Sequence, residues 1–457
     1  MTAGLSSYPA YRDSGVAWLG EVPVHWEKKR GKFFLHEVDE RSIDGSELLL
    51  SVSHITGVTP RKASVTMFMS ESTEGYKICR PGDLVINTMW AWMGALGLSK
   101  HVGLVSPSYG VYRLQTNELF DSNYLDRLFR THSYTSEYLC RSTGIRSSRL
   151  RLYPEVFLDI PVIRPPLEEQ WAIVRFLDHA DSRIRRAVST KRRLIALLTE
   201  EKQAVIHRAV TRGLDPDVPL KPSGVEWLGD VPAHWEVMLN QRLLKEEVRP
   251  HGDQPEMQLS LSQRDGLIPT DTMQERSLQT SSFDNWKVTI PGDLVLNRFK
   301  AHLGVFFAST LRGIVSFHYG VFSPRNPVVT KYFELLYHTN VYRAIYAGRS
   351  NGMTVGLQNL SNQSFYNVRS IVPPLHEQAA IVSYVEKMAE RFDNEINSAN
   401  REISLLLEFR TRLIADVVTG KRDVREAAAG LPDEVDELAM LDELEVPDED
   451  GREMEEE

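Results

Sequence analysis

The sequence has few cysteines, no long apolar run and, over several stretches, almost no acidic residues. Its two cysteines, Cys79 and Cys140, form no C-x-x-C pair, which argues against a disulfide framework and against a cysteine-ligated zinc site. No run of about 18 apolar residues is present, and the N-terminus lacks a charged-then-apolar signal pattern. We therefore expect a soluble, cytoplasmic protein without membrane contact.

The formal net charge of −9 over 457 residues is unevenly distributed. Residues 428–457 hold fourteen acids and a single base, so the rest of the chain carries a net charge of +4. The overall charge is therefore a poor guide to the partners of the remaining chain.

Four sequence blocks recur in the same order at offsets of 208 to 210 residues. The pairs are 14–27 with 223–236, 81–87 with 291–297, 106–111 with 316–321, and 165–170 with 373–378. The first pair shares the pattern S-G-V-x-W-L-G-x-V-P-x-H-W-E, and the last shares P-P-L-x-E-Q. This regularity indicates a tandem duplication of a unit of about 209 residues.

The first part of each copy is predicted to be a β-rich globular region. Apolar runs at 83–87 and 293–297 follow Pro-Gly turns, as buried strands tend to do. We expect the repeated tryptophans to be packing anchors with locally bonded N–H groups, and the histidines to be structural rather than metal ligands. These residues are Trp18, Trp26, Trp227, Trp235, His25 and His234.

The second part of each copy has the pattern of a long helix. Paired prolines at 165–166 and 373–374 favour a helix start, and no proline interrupts 167–214 or 375–430. Each helix should contain about 45 residues and extend about 65 Å. Because one domain cannot bury such a helix, we expect the two to pair. If a pseudo-two-fold axis relates the copies, the pair is an antiparallel coiled coil with the globular domains at opposite ends.

Motifs of common enzyme classes are absent from the sequence. There is no GxxxxGK[ST], HExxH, GxSxG or Gly-rich dinucleotide motif, and no Asn-Pro-Pro-aromatic signature of base-methylating enzymes. Pro-Gly-Asp, at Asp83 and Asp293, resembles a fragment of a nuclease motif but lacks a downstream acidic-x-Lys partner. We interpret it as a turn that opens a strand.

Acidic residues are depleted where arginines are frequent. Residues 84–117 and 138–154 contain no acid, and 294–376 contain only Glu334. Buried strands also avoid acids, but burial does not explain four arginines within 141–151, so a nucleic-acid surface is favoured. The candidate contacts are Arg146, Arg149, Ser106 and Tyr109 in the first copy, and Arg298, Lys300, His318, Tyr319 and Arg349 in the second.

The two copies differ between their shared blocks. Residues 90–93 and 144–149 have little in common with 300–303 and 351–356, as expected if two scaffolds read two different short sequences. Because Ser106 and Tyr109 recur in the second copy, we expect them to contact the DNA backbone, or merely to pack, rather than to read bases.

The doubled S-G-V-x-W-L-G-x-V-P-x-H-W-E and P-P-L-x-E-Q motifs resemble the specificity subunits of type I restriction–modification systems (HsdS), over residues 1 to 420. The resemblance implies an α+β fold with two mixed α/β target-recognition domains, and two helical regions that form an antiparallel coiled coil. It implies recognition of a bipartite, asymmetric site in double-stranded DNA. It also implies docking of two DNA adenine methyltransferase subunits and of motor-nuclease subunits. The chain itself would be non-catalytic and bind no cofactor, with S-adenosylmethionine, ATP and magnesium held by the partners.

The predicted boundaries follow from the repeat. We place recognition domains at 1–165 and 215–372, helical spacers at 166–214 and 373–427, and an acidic, disordered tail at 428–457. We hypothesise that this tail, which departs from the family pattern, either solvates the complex or competes weakly with DNA phosphates.

Two other functions stay open at this point. One is a coiled-coil scaffold whose globular ends bind proteins. The acid-free stretches argue against this function. The other is an enzyme with its own methyltransferase or nuclease activity, against which the missing motifs count.

Overall fold

The computed structural model describes residues 5–61, 72–116, 118–144, 150–250, 256–263, 265–273, 283, 285–351 and 358–432. The chain forms two compact units. Unit 1 contains residues 1–191 and 401–457, and unit 2 contains residues 192–400. Each unit therefore comprises one globular region and segments of both long helices, whereas the sequence suggested domains and helices in simple succession.

The globular region of unit 1 consists mainly of short strands. They are β1 (Tyr11–Asp13), β2 (Glu21–Pro23), β3 (Glu27–Arg30), β4 (Leu35–Glu37), β5 (Leu50–Ser53), β6 (Gly57–Pro60), β7 (Lys77–Cys79), β8 (Leu84–Ile86), β9 (Leu96–Leu98), β10 (Gly103–Val105), β11 (Gly110–Leu114) and β12 (Pro161–Arg164). Its helices are α1 (Ser122–Phe129), α2 (His132–Arg141) and α3 (Pro154–Leu158), and the long helix α4 (Leu167–Arg212) follows.

Unit 2 has a corresponding set of elements. Its strands are β13 (Leu220–Pro222), β14 (Asp230–Pro232), β15 (Glu236–Leu239), β16 (Leu244–Glu246), β17 (Leu259–Ser262), β18 (Gly266–Pro269), β19 (Lys287–Thr289), β20 (Leu294–Asn297), β21 (Phe306–Ala308), β22 (Gly313–Val315), β23 (Tyr319–Pro324) and β24 (Arg369–Val372). The helices are α5 (Asn240–Leu243), α6 (Thr330–Tyr337), α7 (Asn340–Arg349) and α8 (Asn362–Tyr366), and the long helix α9 (Leu375–Val418) follows. The last helix, α10 (Arg425–Ala429), belongs to unit 1.

The two units share one sheet topology. Unit 1 has a four-stranded antiparallel sheet in the order β4-β11-β8-β9, and unit 2 has the order β16-β23-β20-β21. In each unit a further strand pair, β3 with β12 or β15 with β24, joins the start of the globular region to its end. The fold is therefore α+β and duplicated, as predicted.

The predicted turns and helix starts are confirmed. Gly82 and Gly292 have positive φ angles of 89° and 92° immediately before the buried strands β8 and β20. Helices α4 and α9 start directly after the paired prolines, and Gly213 and Gly420 lie just beyond their ends with φ near 80°. Only glycine takes this left-handed conformation without steric cost, so it stops each helix.

Within each unit the segments of α4 and α9 pack antiparallel. In unit 1 Asp181 contacts Arg410 and Lys191 contacts Glu402, so rising numbers in α4 pair with falling numbers in α9. In unit 2 the end of α4 shares a core cluster with the start of α9. The described residues include no helix long and apolar enough to cross a bilayer.

Residues at the start of the predicted tail belong to the folded part of unit 1. Helix α10 ends at Ala429, and Ala428 is fully buried. Asp423 pairs with Ser6, and the Pro432 carbonyl lies 2.9 Å from His179 Nε2. The sequence missed this because acids dominate only after Pro432, and residues 433–457 lie outside the described ranges.

Candidate nucleic-acid interface

The frame of unit 1 joins its two repeated motifs through one buried glutamate. The Trp26 indole N–H donates to Glu169 at 2.9 Å, and His25 Nε2 lies 2.8 Å from the same carboxylate. The Tyr8 hydroxyl donates to it as well. Because Glu169 is the glutamate of P-P-L-x-E-Q, these bonds fix the first strands against the start of α4.

Unit 2 repeats this arrangement around Glu377. The Trp235 indole N–H donates to it at 2.9 Å, and His234 Nε2 lies 2.7 Å away. The structural role predicted for the histidines is therefore confirmed. The expectation of local partners for Trp26 and Trp235 was wrong, since each indole bonds a residue more than 140 positions away.

The Pro-Gly-Asp aspartates are structural as well. Asp83 is buried and accepts two bonds from Arg113, at 2.7 and 2.8 Å. Asp293 is equally buried and is bonded by Arg249 at 2.6 and 3.2 Å. These ion pairs raise the pKa of both arginines. Each carboxylate is thus bonded to an arginine where a strand begins. This agrees with the interpretation of Pro-Gly-Asp as a turn that opens a strand.

Three segments of unit 1 converge where β8 ends. We call them the first loop cluster, formed by residues 87–94, 106–109, and 142–144 with 150–153. The Thr88 hydroxyl donates to the Ser108 carbonyl at 2.9 Å, and the Thr88 carbonyl accepts from Leu152 N–H at 2.9 Å. Thr143 pairs with Arg151 and closes the base of the third segment. Segments far apart in sequence therefore form one surface.

Unit 2 brings together the corresponding segments. The second loop cluster consists of residues 297–304, 316–319, and 349–351 with 358–360. Leu360 N–H donates to the Arg298 carbonyl at 3.0 Å, and Asn351 pairs with Asn359. The ring centroids of Phe299 and His318 lie 5.4 Å apart and join the first two segments.

Only some of the candidate contacts in unit 1 can be located. Ser106 and Tyr109 lie in the first loop cluster, where Ser106 Oγ is 2.8 Å from Ser108 Oγ and the Tyr109 hydroxyl accepts from Asn87 at 3.2 Å. Arg146 and Arg149 lie outside the described residues.

The candidate residues of unit 2 gather at the second loop cluster. Lys300, His318 and Arg349 are exposed there. Arg298 is half-buried and donates to Glu246 at 2.6 Å, and its Nε is buried without a partner. Glu246 also accepts a hydrogen bond from Lys287 Nζ at 3.3 Å. The negative charge of this carboxylate, which lies close to the second loop cluster, is therefore compensated by two cations.

The tyrosines of the shared Tyr-Gly-Val block are half-buried in both units. Tyr109 and Tyr319 each pack on a small apolar core, and this burial raises the pKa of both phenols. Lys287 Nζ donates to the Tyr319 carbonyl at 3.0 Å. Their equivalent positions fit the expectation that Tyr109 supports the surface rather than reads bases.

Exposed apolar side chains at the loop clusters were not among the predicted contacts. Met89 and Trp90 are exposed in the first cluster, and Phe299 and Phe317 in the second. The available sequence signal was that Met89, Trp90 and Phe299 follow a shared block closely, and that Phe317 occupies a position within a shared block at which the copies differ. The described residues contain no group of three or more His, Cys, Asp or Glu side chains placed to share a metal ion.

Comparison with known proteins identifies the fold. No protein-family model matches the sequence. The chain is similar to a protein solved in a study of complex assembly and conformational transition of the type I R-M system, with 17% identity and a TM-score of 0.59. It is also similar to the HsdS subunit from Thermoanaerobacter tengcongensis, with 16% identity and a TM-score of 0.51. Each match covers 87% of this chain and 98% of the other. The chain therefore has the fold of a type I specificity subunit over most of its length.

Proposed function

We propose that this chain is the DNA-specificity subunit of a type I restriction–modification complex, and that each unit reads one half of a bipartite, asymmetric site in double-stranded DNA. One observation carries the proposal. The units share their topology and their glutamate anchors, yet their equivalent loop clusters expose different side chains. A common frame with divergent loops suits two readers of unlike sequences.

The charge of the second loop cluster supports DNA as the ligand. Lys300 and Arg349 are exposed and have no ion-pair partner among the described residues. Between 294 and 376 only Glu334 is acidic, and it is buried and paired with Lys331. Phosphates are therefore attracted without a competing carboxylate in these segments. Arg298, His318, Tyr319, Ser106 and Tyr109 remain candidate contacts, as do Arg146 and Arg149.

The long helices are suited to binding partner subunits. The unit 1 segment of α9 exposes Leu405 and Leu407, and the unit 2 segment of α4 exposes Leu194 and Leu197. Exposed leucines on paired helices are typical of protein interfaces. We assign these faces to two DNA adenine methyltransferase subunits, with motor-nuclease subunits joining the assembly. Catalysis, S-adenosylmethionine, ATP and magnesium would belong to those partners, and this chain would bind no cofactor.

Selection of bound duplexes from a random DNA pool tests the proposal. The purified complex with a methyltransferase partner should enrich one bipartite sequence with a gap of fixed length. Exchanging residues 1–165 for the corresponding domain of another specificity subunit should change one half-site and leave the other intact, because the loop clusters belong to separate units.

The alternative functions give different results in the same experiment. A scaffold with protein-binding ends would enrich no sequence. An enzyme with its own activity would methylate or cleave DNA without a partner. A domain exchange that alters both half-sites would contradict modular reading.

A further inference from the structure

The second loop cluster carries an exposed row of three aromatic rings. His318 lies between Phe317 and Phe299, with ring-centroid distances of 3.8 and 5.4 Å. Phe317 is 47% exposed and Phe299 38% exposed, although both could pack against the buried strands beside them. We call these three side chains the aromatic ridge. Large apolar side chains kept together at a surface usually mark a binding site.

The described residues of unit 1 contain no counterpart of this ridge at the equivalent turn. The shared Ser-x-x-Tyr-Gly-Val block places Pro107 and Ser108 where unit 2 has Phe317 and His318. The turn itself is the same, since Tyr109 N–H donates to Ser106 and Tyr319 N–H donates to Ser316, both at 2.9 Å. The fold therefore does not require the rings, and their presence distinguishes what unit 2 can bind.

The charges around the ridge favour DNA as its occupant. Lys300 directly follows Phe299, and Arg349 ends the helix that leads into the third segment of the cluster. Apolar rings with unpaired cations beside them are complementary to DNA, because its phosphates are negatively charged and its grooves expose apolar groups. In the major groove of a duplex that group is the C5-methyl of thymine, and phenylalanine is one of the side chains that contact it.

We propose that the aromatic ridge contacts thymine methyl groups in the half-site read by unit 2, which rests on the proposed DNA-specificity function. Both rings beside His318 are already packed against it, so binding requires little further ordering of side chains. Stacking on bases would need unpaired or unstacked DNA, whereas a methyl group projects from an intact duplex.

Deoxyuridine substitution tests this contact, because deoxyuridine differs from thymidine only by the missing methyl. The probe is a duplex that carries the selected bipartite site, with the thymines of one half-site at a time replaced by deoxyuridine. The wild-type complex should bind the substituted half-site of unit 2 about fourfold more weakly per contacted methyl. In the Phe317→Ala complex that penalty should be clearly smaller for this half-site, and binding of the duplex substituted in the other half-site should respond to deoxyuridine as it does in the wild type.

Two further variants control for non-specific effects. Leu220→Ala removes another exposed apolar side chain of unit 2, outside the loop cluster, and should keep the full deoxyuridine penalty. Phe317→Leu retains an apolar contact and should keep part of it. Thermal unfolding of each variant should match that of the wild type, since Phe317 is a surface residue.

The outcomes separate the two proposals. If no bipartite sequence is enriched, the DNA-specificity function fails. If a site is enriched but Phe317→Ala shows the same deoxyuridine penalty as the wild type, the methyl contact is overturned and the function stands. A site insensitive to deoxyuridine in both halves, or an equal loss of affinity for all DNA, also overturns it. So does a Phe317-dependent bend in the duplex, which would indicate a wedge between bases.

Discussion

Unit 1 and unit 2 each bury an aspartate after the same Pro-Gly turn, but the arginine that neutralises it lies in a different segment of each unit. In unit 1 Asp83 is paired with Arg113 of β11. In unit 2 Asp293 is paired with Arg249, which follows β16. The buried charge has been kept in both copies while the residue that compensates it has moved.

Strand register shows that this is an exchange between equivalent positions. Arg113 pairs with His36 across β11 and β4, and Ser323 pairs with Lys245 across β23 and β16. Arg113 therefore corresponds to Ser323, and Glu40 in unit 1 corresponds to Arg249 in unit 2. A buried carboxylate therefore requires a nearby cation, but this cation can come from different positions in the fold.

The largest expected difference concerns the glutamate anchors. Glu169 is 4% exposed and Glu377 is 28% exposed. Glu169→Ala leaves the Tyr8 hydroxyl and the Trp26 indole buried without an acceptor, and at about 2 kcal/mol for each donor it should destabilise unit 1 by about 4 kcal/mol. Glu377→Ala should cost unit 2 about 2 kcal/mol, because one indole loses its acceptor. Hydrogen exchange of each unit under increasing urea would measure both values.

Conservative variants control for the loss of volume. Glu169→Gln and Glu377→Gln keep one acceptor oxygen and should lose less stability than the alanine variants. Equal losses for Glu169→Ala and Glu377→Ala would contradict the difference between the two anchors.

The second prediction moves the arginine of unit 2 into unit 1. Arg113→Ser should destabilise unit 1 by about 3 kcal/mol, because it leaves Asp83 buried and unpaired. Arg80 pairs with Glu40 at 3.1 Å, and unit 2 has Ile290 in its place. Adding Glu40→Arg and Arg80→Ile therefore reproduces the residues of unit 2 at these positions and should recover about half of the loss. Urea unfolding of the single and triple variants checks this.

A matched control is available on the surface of the same unit. Arg30 pairs with Asp159 at 2.8 Å, and both side chains are largely exposed. Arg30→Ser should change stability little, since water replaces the lost contact. If the triple variant is no more stable than Arg113→Ser, the two positions are not interchangeable.

The smallest effect is a pH dependence confined to unit 2. Burial lowers the pKa of His338 to about 4, whereas unit 1 has Arg130 at the equivalent position after α1. The unfolded chain, with an ordinary histidine pKa near 6.5, binds the proton more readily, so stability is lost as pH falls from about 6.5 towards 4. The slope should reach about 1.4 kcal/mol per pH unit in that window.

His338→Gln isolates this contribution. The variant should show a weaker loss of stability than the wild type between pH 6.5 and 5.5, measured by thermal unfolding and by exchange in α6. Exchange in α1 should be the same in both proteins. Identical pH profiles for variant and wild type in α6 would contradict the assignment to His338.

Local rules were enough to predict much of the frame. The paired prolines and uninterrupted apolar spacing predicted α4 and α9 closely, and the Pro-Gly turns predicted β8 and β20, because helix starts and tight turns depend on neighbouring residues. The repeated blocks predicted two units of one topology. They also singled out His25, His234, Asp83 and Asp293 as structural residues.

The candidate site was predicted less completely. The acid-poor stretch 294–376 contains the segments that the structure brings together in the second loop cluster, with Lys300, His318 and Tyr319, and their contact with DNA stays a prediction. The partner of Arg298 could not be predicted, since Glu246 lies more than 50 residues away in another strand. The aromatic ridge was missed because whether Phe299 and Phe317 are buried or exposed depends on packing from the whole unit.

By itself, the sequence determined the duplication, the start of the long helices, and the position of the acid-poor segments. Each of these depends on residues that are close together in the chain. Only the tertiary structure decided that each compact unit includes segments of both long helices. It also decided that one glutamate joins the two repeated motifs in each unit, and that the buried aspartates pair with arginines at non-equivalent positions. Burial makes these contacts necessary, because an unpaired polar group costs energy wherever its partner lies in the sequence.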